Sequence, residues 1–341
     1  MVAVFRTFSL WVLGGCFLLM LACTPLKPDA FEGNTDSFPM KLKDALGREV
    51  TIEKPATRIV SLSPSVTEML FAVGAGDKIV GVTSYANYPE EALSKEKVGG
   101  FEGKSLNLEK IVGLQPDLIL TAGGMHATLA QQLDRLNLNV LSVEPNNFRE
   151  LYQALELVGK LVGKAKEAKA LVVEIRERKL VIDQKVAKIS EAERVRVFYQ
   201  TWDDPLQTAG PRSLIGNLIE TAGGINIFGE VKQQYPYVSV EAVLARDPQV
   251  ILVPSHAKEE GAKPSFSAPG WENISAVRKN RLYYLNGDWI SRSGPRIILG
   301  LEAIAHALYP EHFDPPGGPP SMQIPSVSWN ARPAEVSKVT W

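Results

Sequence analysis

Cysteine is nearly absent from this chain of 341 residues. Only Cys16 and Cys23 occur, and both lie within the first 23 residues. Beyond residue 23 there is no cysteine, so no internal disulfide can form there. Stability must therefore come from the packing of apolar side chains, and the chain is long enough to bury substantial cores.

An excess of charge of one sign is also lacking. Lysine and arginine number 37 against 38 aspartates and glutamates, and no run rich in lysine or arginine occurs. Nucleic-acid-binding proteins show a basic face or stripe, which this composition does not offer. A polyanionic partner is therefore not expected.

Catalytic motifs are missing as well. The sequence has no Gly-x-Ser-x-Gly, no His-Glu-x-x-His and no phosphate-binding loop. The pair Gly74 and Gly76 lacks the third glycine and the strand-to-helix context of a dinucleotide site, and Ser61 and Ser63 have no base close by in sequence. We therefore predict that the protein is not an enzyme.

The first 23 residues have the pattern of a secretory signal. Arg6 precedes an apolar stretch at residues 10–21 that is too short and glycine-broken for a comfortable membrane span, and Ala22 stands before Cys23. The end of this segment resembles a lipoprotein processing site, which implies cleavage before Cys23 and lipidation of its thiol. An ordinary cleaved signal and an uncleaved anchor are the alternatives, and all three predict export.

The segments on either side of the folded region have biased compositions. Residues 24–41 are rich in proline, aspartate, glycine and serine without periodicity, which predicts a flexible tether. Residues 313–341 contain Pro-Pro-Gly-Gly-Pro-Pro and further prolines, which predicts a disordered tail. The sequence suggests no function for this tail.

Short apolar strands alternate with helices between residues 42 and 146. A hairpin is predicted at residues 42–52 and a buried strand at residues 58–62. Ser65 and Glu68 then form a Ser-x-x-Glu capping box, which gives Glu68 a local structural role. This alternation predicts an N-terminal lobe with a parallel sheet covered on both faces.

The periodicity changes at residue 147. Residues 147–190 carry apolar side chains every three or four positions, which predicts a short helix followed by a long one from about residue 165 to 189. Residues 191–312 then repeat the order of elements of the first lobe. The prediction is an α/β fold of two similar lobes with mainly parallel sheets flanked by helices, joined by one long connecting helix.

One passage occurs in both halves and is the strongest sign of duplication. Residues 108–120 read LEKIVGLQPDLIL and residues 240–252 read VEAVLARDPQVIL, each with a glutamate seven residues before a proline. A capping residue precedes each glutamate by two positions, so Glu109 and Glu241 are predicted in the first turn of matching helices. Two equivalent carboxylates would suit docking onto cations of a partner, and the alternative is that each complements its helix N-terminus.

Several motifs together identify a family. RIVSLSPSVTEMLFAVG, GVTSYANYP, LNLEKIVGLQPDLIL, TAGGINIFG, VSVEAVLARDPQVIL and NGDWISRSGPRIILG occur in order between residues 51 and 308. Together they resemble the periplasmic cobalamin-binding proteins, which are ABC-transporter solute receptors of the helical-backbone class. Receptors for haem and iron-siderophores share this framework.

The resemblance implies partners and site residues. It implies that the carboxylates of Glu109 and Glu241 face arginines of an ABC permease in the membrane, and that the receptor is a monomer. It also implies that loop residues with rings or polar groups contact the ligand, namely Tyr85, Phe101, Trp202, Tyr235, Asp288, Trp289 and Arg292. Phe101 and Tyr235 stand where similar cobalamin receptors have tryptophan, and Tyr237 is equally compatible with the pocket or the core.

This set of residues suits a large, flat, mostly apolar ligand with polar edges, because aromatic rings supply rigid contact area. The expected ligand is a corrinoid, with haem or a hydroxamate siderophore as the alternative. Catecholate siderophores are disfavoured, because Arg292 is the one clear cation in the set. The chain has only four histidines, so no cofactor and no resident metal are expected. His126 is interpreted as an exposed loop histidine, and the alternative is an axial ligand to haem iron or corrinoid cobalt.

Overall fold

The computed structural model describes Gly33 and Asn34, residues 37–255, Phe266, residues 269–317 and residues 337–338. The predicted signal segment at residues 1–23, with the lipidation site Cys23, lies outside the described residues. No helix of the described part is long and apolar enough to cross a membrane.

A small antiparallel sheet opens the fold. It contains β1 (Gly33–Asn34), β2 (Met40–Lys43) and β3 (Glu49–Ile52). The turn between β2 and β3 is held by the buried Asp44, whose carboxylate accepts from the backbone N–H of Leu46 at 2.9 Å and of Arg48 at 3.0 Å. Met40 is buried in the core, so ordered structure starts before residue 41, where the predicted tether ends.

The N-terminal lobe is built on a parallel sheet of four strands. In spatial order these are β5 (Ile79–Val82), β4 (Ile59–Ser61), β6 (Leu118–Thr121) and β7 (Val140–Ser142). Its helices are α1 (Pro64–Ala72), α2 (Leu108–Gly113) and α3 (Ala127–Asp134). All residues of β4, β6 and β7 are buried, as expected for strands covered on both faces.

Two helices connect the lobes. Helix α4 (Phe148–Leu161) is capped by Asn147, and α5 (Ala165–Val186) has 22 residues. A helix of this length spans about 33 Å, enough to run the width of a domain. The buried residues of α5 recur every three or four positions and therefore form one apolar face; they are Ala168, Leu171, Val172, Ile175, Ile182 and Val186.

The C-terminal lobe repeats the parallel sheet. Its parallel strands, in spatial order, are β10 (Ile225–Asn226), β8 (Arg196–Trp202), β11 (Val250–Ser255) and β12 (Leu282–Asn286). Two short strands pair antiparallel with it, β9 (Gln207–Thr208) with β8 and β13 (Ser337–Lys338) with β12. The helices are α6 (Leu214–Thr221), α7 (Val240–Arg246), α8 (Ser275–Arg278), α9 (Gly287–Ser291) and α10 (Ile297–Leu308).

The two sheets have the same topology. In each, the first strand of the lobe lies between the second and the third, and the fourth strand pairs with the third. Helices α2 and α7 precede the equivalent strands β6 and β11, as the repeated passage predicted. The predicted fold class is therefore confirmed, including the long connecting helix.

The largest hydrophobic core is continuous across both lobes. It includes Leu70 of α1, Leu151 of α4, Ile175 of α5, Leu218 of α6 and Ile304 of α10. Because the connecting helices share this core with each lobe, the lobes are not separate bodies on a free linker. A smaller core packs the remaining face of each sheet.

The last described segments differ from the prediction of a disordered tail that starts at residue 313. Phe313 is buried, its ring lies 5.1 Å from Nζ of Lys185, and Ser337–Lys338 pair with Tyr283 and Tyr284 of β12. Residues 318–336 and 339–341 lie outside the described residues. The proline content of this segment did not indicate that Phe313 would be buried against Lys185 of α5.

Candidate functional site

The predicted ligand residues lie in segments that follow the carboxyl ends of the parallel strands. Tyr85 follows β5, Trp202 ends β8 and Asp288 follows β12. Ligands of open α/β sheets bind at these edges. Two contacts show that the edges of the two lobes face each other: Arg292 donates to the carbonyl oxygen of Tyr85 at 3.3 Å and to Oδ1 of Asn87 at 2.7 Å.

Aromatic side chains are exposed along this cleft. The exposed fraction is 60% for Tyr85, 62% for Trp202, 41% for Tyr235 and 68% for Tyr237. Such rings normally lie in cores or contact a partner, so several on facing loops indicate a binding surface. Tyr237 is open to solvent, so it does not pack in the core.

Phe101 is half-buried on the rim of the N-terminal lobe and is held by His126. The Nε2–H of His126 donates to the carbonyl oxygen of Phe101 at 2.6 Å, while Nδ1 accepts from the backbone N–H of Ala122 at 3.1 Å. The Phe101 and His126 rings meet edge to face, with centroids 5.4 Å apart. Gly99 makes the turn possible, because its φ is +124° and a Cβ there would lie 2.3 Å from the carbonyl oxygen of Ser105.

The interpretation of His126 as an exposed loop histidine was wrong. The side chain is fully buried, and burial lowers the pKa of the imidazole despite its bond to Phe101 and the nearby charge of Glu144. Both ring nitrogens already have partners, so the neutral ring acts as a structural bridge between β6 and the Phe101 loop.

The rim of the C-terminal lobe is a network around the end of β8. The indole Nε1–H of Trp202 donates to the carbonyl oxygen of Asp204 at 3.0 Å, and Nε2 of Gln207 donates to the carbonyl oxygen of Tyr235 at 3.2 Å. Beneath them Tyr199 is fully buried. Burial raises the pKa of Tyr199, so it remains protonated.

Tyr235 is 41% exposed as a residue, yet desolvation by the atoms around its phenol raises the phenol pKa, and the charge of Glu144 raises it further. Glu144 follows β7 and accepts from the backbone N–H of Gly124 at 3.3 Å. Glu144 therefore places a carboxylate on the N-terminal rim.

Arg292 is fully engaged rather than free for an anion. It donates to Glu68 at 3.0 Å, pairs with Asp288 at 2.9 Å and donates to Oδ1 of Asn87 at 2.7 Å. Asp288 is half-buried in the first turn of α9, where its backbone N–H is capped by Asn286 at 3.0 Å. Trp289, the next residue, is also half-buried.

The predicted capping box of Ser65 and Glu68 was wrong. Helix α1 starts at Pro64 with Ser63 at its N-cap, as expected because proline is favoured in the first helical position. Glu68 is fully buried in the middle of the helix, and its carboxylate accepts from Arg292 and Arg296 of the other lobe. Sequence reasoning missed Arg296 and Glu144 as well, although a lone acid within the apolar run of α1 signals a distant cation.

Glu109 and Glu241 lie apart from this network, in equivalent positions of the two lobes. Each is the second residue of its helix, α2 or α7, and each is exposed. The predicted N-caps are confirmed: Asn107 accepts from the backbone N–H of Lys110 at 2.9 Å and Ser239 from that of Ala242 at 3.2 Å. The pKa of Glu241 is lowered by its own backbone N–H and by the Ser239 hydroxyl, so this carboxylate is charged at neutral pH.

Histidine and carboxylate side chains do not gather elsewhere in the described part of the chain. No group of three or more His, Cys, Asp or Glu residues there could hold a metal ion. His306 bonds the carbonyl oxygen of Phe313 at 2.6 Å, His312 is exposed, and His256 lies outside the described residues.

A separate groove of about 610 Å³ occurs at the amino-terminal end of the second sheet. It is lined by residues that precede β8, β11 and β12, including Val195, Gln249 and Arg281. None of the predicted ligand residues lines it. The groove therefore lies away from the carboxyl ends of the strands, the edge at which ligands of open α/β sheets bind.

Comparison with known proteins agrees with the two-lobe α/β fold described above. A family model described as "Periplasmic binding protein" matches residues 59–288. The chain is 34% identical over 284 residues to "Uncharacterized ABC transporter substrate-binding lipoprotein YvrC" of Bacillus subtilis, a match that covers 82% of this chain and 88% of that protein.

Two solved structures have the same fold. The periplasmic vitamin B12 binding protein BtuF of Vibrio cholerae is 31% identical with a TM-score of 0.66, and the match covers 74% of this chain and 97% of that one. The periplasmic heme-binding protein RhuT from Roseiflexus sp. RS-1 is 25% identical with a TM-score of 0.66, covering 75% and 98% of the two chains. The chain belongs to the periplasmic binding protein family of ABC-transporter solute receptors, the framework shared by receptors for cobalamin, haem and siderophores.

Proposed function

We propose that the protein captures a corrinoid such as cobalamin between its lobes and delivers it to the permease of an ABC importer, without catalysing a reaction. The observation that carries this proposal is the set of exposed rings on facing rims, Tyr85 on one and Trp202 and Tyr235 on the other. A broad, flat macrocycle can contact both sets of rings at once. The corrinoid is cargo, and the receptor requires no cofactor of its own.

The charges of the cleft favour a corrinoid over haem. Haem carries two carboxylates that need cationic partners, but Arg292 is already paired with Glu68 and Asp288. Glu144, which is held by the backbone N–H of Gly124, adds a carboxylate to the N-terminal rim. The amide-rich edge of a corrinoid is uncharged, so it can accept and donate hydrogen bonds here without meeting a like charge.

Calorimetric titration of the protein with cyanocobalamin, haem and a ferric hydroxamate siderophore tests the cargo. We expect stoichiometric binding of cyanocobalamin and much weaker binding of the other two. Tyr85→Ala combined with Trp289→Ala should reduce cyanocobalamin affinity by about tenfold or more, because two aromatic contacts are lost. Leu180→Ala, which removes an exposed side chain of α5, is the control.

The alternative cargo is decided by the same titrations. If the protein binds haem or the siderophore tightly and does not bind cyanocobalamin, that ligand is the cargo and the corrinoid proposal is wrong. Equal affinity of the double variant and the parent protein would remove Tyr85 and Trp289 from the ligand site.

The proposal includes export and an anchor. We infer that the chain works outside the cytoplasm as a monomer, held at the membrane by a lipid on Cys23. Cell fractionation tests the anchor: Cys23→Ser should move the protein from the membrane to the soluble fraction, while Cys16→Ser should leave it at the membrane. An unchanged distribution of the Cys23→Ser variant would contradict lipidation at this residue.

A further inference from the structure

A buried cluster of four charges joins the two lobes beside the ligand cleft. Glu68 of α1 belongs to the N-terminal lobe, whereas Asp288, Arg292 and Arg296 belong to the C-terminal lobe. We call these four residues the interlobe clasp. Arg296 holds the carboxylate of Glu68 in a two-pronged bond, with Nε to Oε2 at 2.9 Å and Nη2 to Oε1 at 2.6 Å.

The clasp is largely buried and contains two carboxylates and two guanidiniums; its most exposed side chain is Asp288, at 26%. The exposed fraction of the side chain is 0% for Glu68, 8% for Arg296 and 14% for Arg292. The Arg296 guanidinium also lies over the ring of Tyr88, 3.8 Å from its centroid. Burial disfavours the charged form of Arg296, but the hydrogen bonds and charge of Glu68 raise its pKa overall, so the guanidinium stays protonated.

Backbone packing brings the lobes together at the same place. A Cβ on Gly294 would lie 3.2 Å from the carbonyl oxygen of Ser65 at the start of α1, so the loop after α9 approaches α1 closely. Arg292 adds bonds to Asn87 and to the carbonyl oxygen of Tyr85. Arg292 therefore connects Glu68 to the segment that bears the exposed ring of Tyr85.

Separation of the rims would break these contacts together. Four charges that satisfy one another would have to be hydrated, and Arg296 would leave the face of Tyr88. Buried ion clusters contribute little net stability compared with apolar packing. Removal of one member is nevertheless destabilising, because it leaves its partners buried without a compensating charge. Such a cluster can instead select one relative arrangement of the segments that it joins.

We propose that Glu68 is a positioning residue for ligand capture, which sets the separation of the two rims before the ligand arrives. By holding Arg292 and Arg296 it fixes α9, and with it Asp288 and Trp289, opposite Tyr85. The cleft is then already shaped for the ligand, so little binding free energy is spent on ordering it. The effect on affinity rests on the proposed function, whereas the effect on rim separation does not.

The test compares Glu68→Gln with a matched control, Glu302→Gln. Glu302 of α10 makes the same two-pronged bond with Arg178 of α5, at 2.9 and 2.8 Å, but it belongs to the connecting-helix packing rather than to the rims. Spin labels at Lys104→Cys and Lys232→Cys, in a Cys16→Ser, Cys23→Ser background, report the distance between the lobes without ligand. Cyanocobalamin affinity is measured by calorimetry on the unlabelled variants.

We expect Glu68→Gln to broaden the distance distribution and lengthen its mean, and to weaken cyanocobalamin binding by about tenfold or more. Glu302→Gln should leave the distances unchanged and the affinity within about twofold, since it touches no rim residue. A parental distance distribution in Glu68→Gln overturns the clasp, whatever the ligand. If Glu68→Gln does not fold, Arg296→Gln is measured in its place. The expected result and the result that overturns the clasp are the same as for Glu68→Gln.

The two proposals fail in different ways. If the parent protein does not bind cyanocobalamin, the proposed cargo is wrong, while the distance measurement still decides the clasp. If the distances change but affinity does not, Glu68 joins the lobes without positioning the ligand residues, and the role in capture is refuted.

Discussion

At the scale of single residues, buried polar groups shape the rims of this protein. His126 is the main case in the N-terminal lobe, because it bridges Ala122 and the carbonyl oxygen of Phe101 and packs against the Phe101 ring. Its Gly-Gly-Met-His context suggested an exposed loop. The burial of His126 arises from the return of the Phe101 loop over it, a contact between segments 25 residues apart.

The buried His126 predicts a dependence of stability on pH. Its folded-state pKa is lowered, so the unfolded chain binds a proton more readily, and the free energy of unfolding should fall as pH drops below the ordinary histidine value of about 6.5. Above that value the contribution is constant, because the ring is neutral in both states. Glu144 opposes the shift but does not cancel it.

Urea denaturation at pH 7.5 and pH 5.5 checks this prediction. His126→Phe keeps a ring and removes the titrating group, so it should lose less stability between the two pH values than the parent protein does. His312→Gln, a change of an exposed histidine, should leave the pH dependence as in the parent. Identical pH dependence in parent and His126→Phe would refute the role of His126.

At the scale of elements, the duplicated helices were the most predictable part of the molecule. Helices α2 and α7 have their caps, their glutamates and their following strands at the same offsets. Each helix leads into the amino end of its strand, so its own N-terminus lies at the carboxyl end of the sheet, on the side of the ligand rims. Glu109 and Glu241 are thus paired by the symmetry of the fold.

This pairing predicts separate effects on transport and on binding. Combined Glu109→Lys and Glu241→Lys should abolish ligand uptake by cells, because like charges would face the arginines expected on the permease, while ligand affinity stays within about twofold of the parent. Uptake of labelled ligand and calorimetry measure the two properties. Glu53→Lys with Glu191→Lys, two exposed glutamates that lie outside α2 and α7, is the control.

A parallel loss of affinity in the Glu109 and Glu241 variant would place these residues in the ligand site and contradict docking. Normal uptake would leave each glutamate only the role of complementing its helix N-terminus, worth about 0.3 to 1 kcal/mol.

At the scale of the whole molecule, the lobes are restrained by three features. The 22-residue helix α5 replaces flexible linkers, one core runs through both lobes and the connecting helices, and the interlobe clasp joins the rims. Wide hinge closure would require the core to repack, and close-packed interiors resist this. The protein is therefore built for small changes of lobe orientation.

Small-angle scattering of the free and loaded protein tests this expectation. The radius of gyration should be the same within error before and after saturation with ligand. Release at the permease must then depend on docking that favours a weaker-binding arrangement of the lobes, since only differential affinity can shift that equilibrium. A clear compaction on loading would contradict the expectation.

The sequence predicted what depends on local pattern and on repetition. Strands that are buried on both faces occur in the sequence as continuous apolar runs, and helices are indicated by apolar periodicity and capping residues. The two lobes, α5 and the matched helices α2 and α7 could therefore be predicted from the sequence alone. The aromatic loop positions could be named through the family resemblance. Glu68 was misassigned because the Ser-x-x-Glu pattern does not reveal whether the glutamate caps its own helix or forms an ion pair with a distant arginine.

What the amino-acid sequence alone determined is the duplicated α/β fold, because hydrophobic periodicity and helix capping act over a few residues. Only the tertiary structure decided that Arg292 and Arg296 are bound to Glu68, that His126 is buried beneath Phe101, and that Arg292 bonds the carbonyl oxygen of Tyr85. These contacts join segments distant in the chain, and their partners are selected by charge and shape only once the lobes have packed.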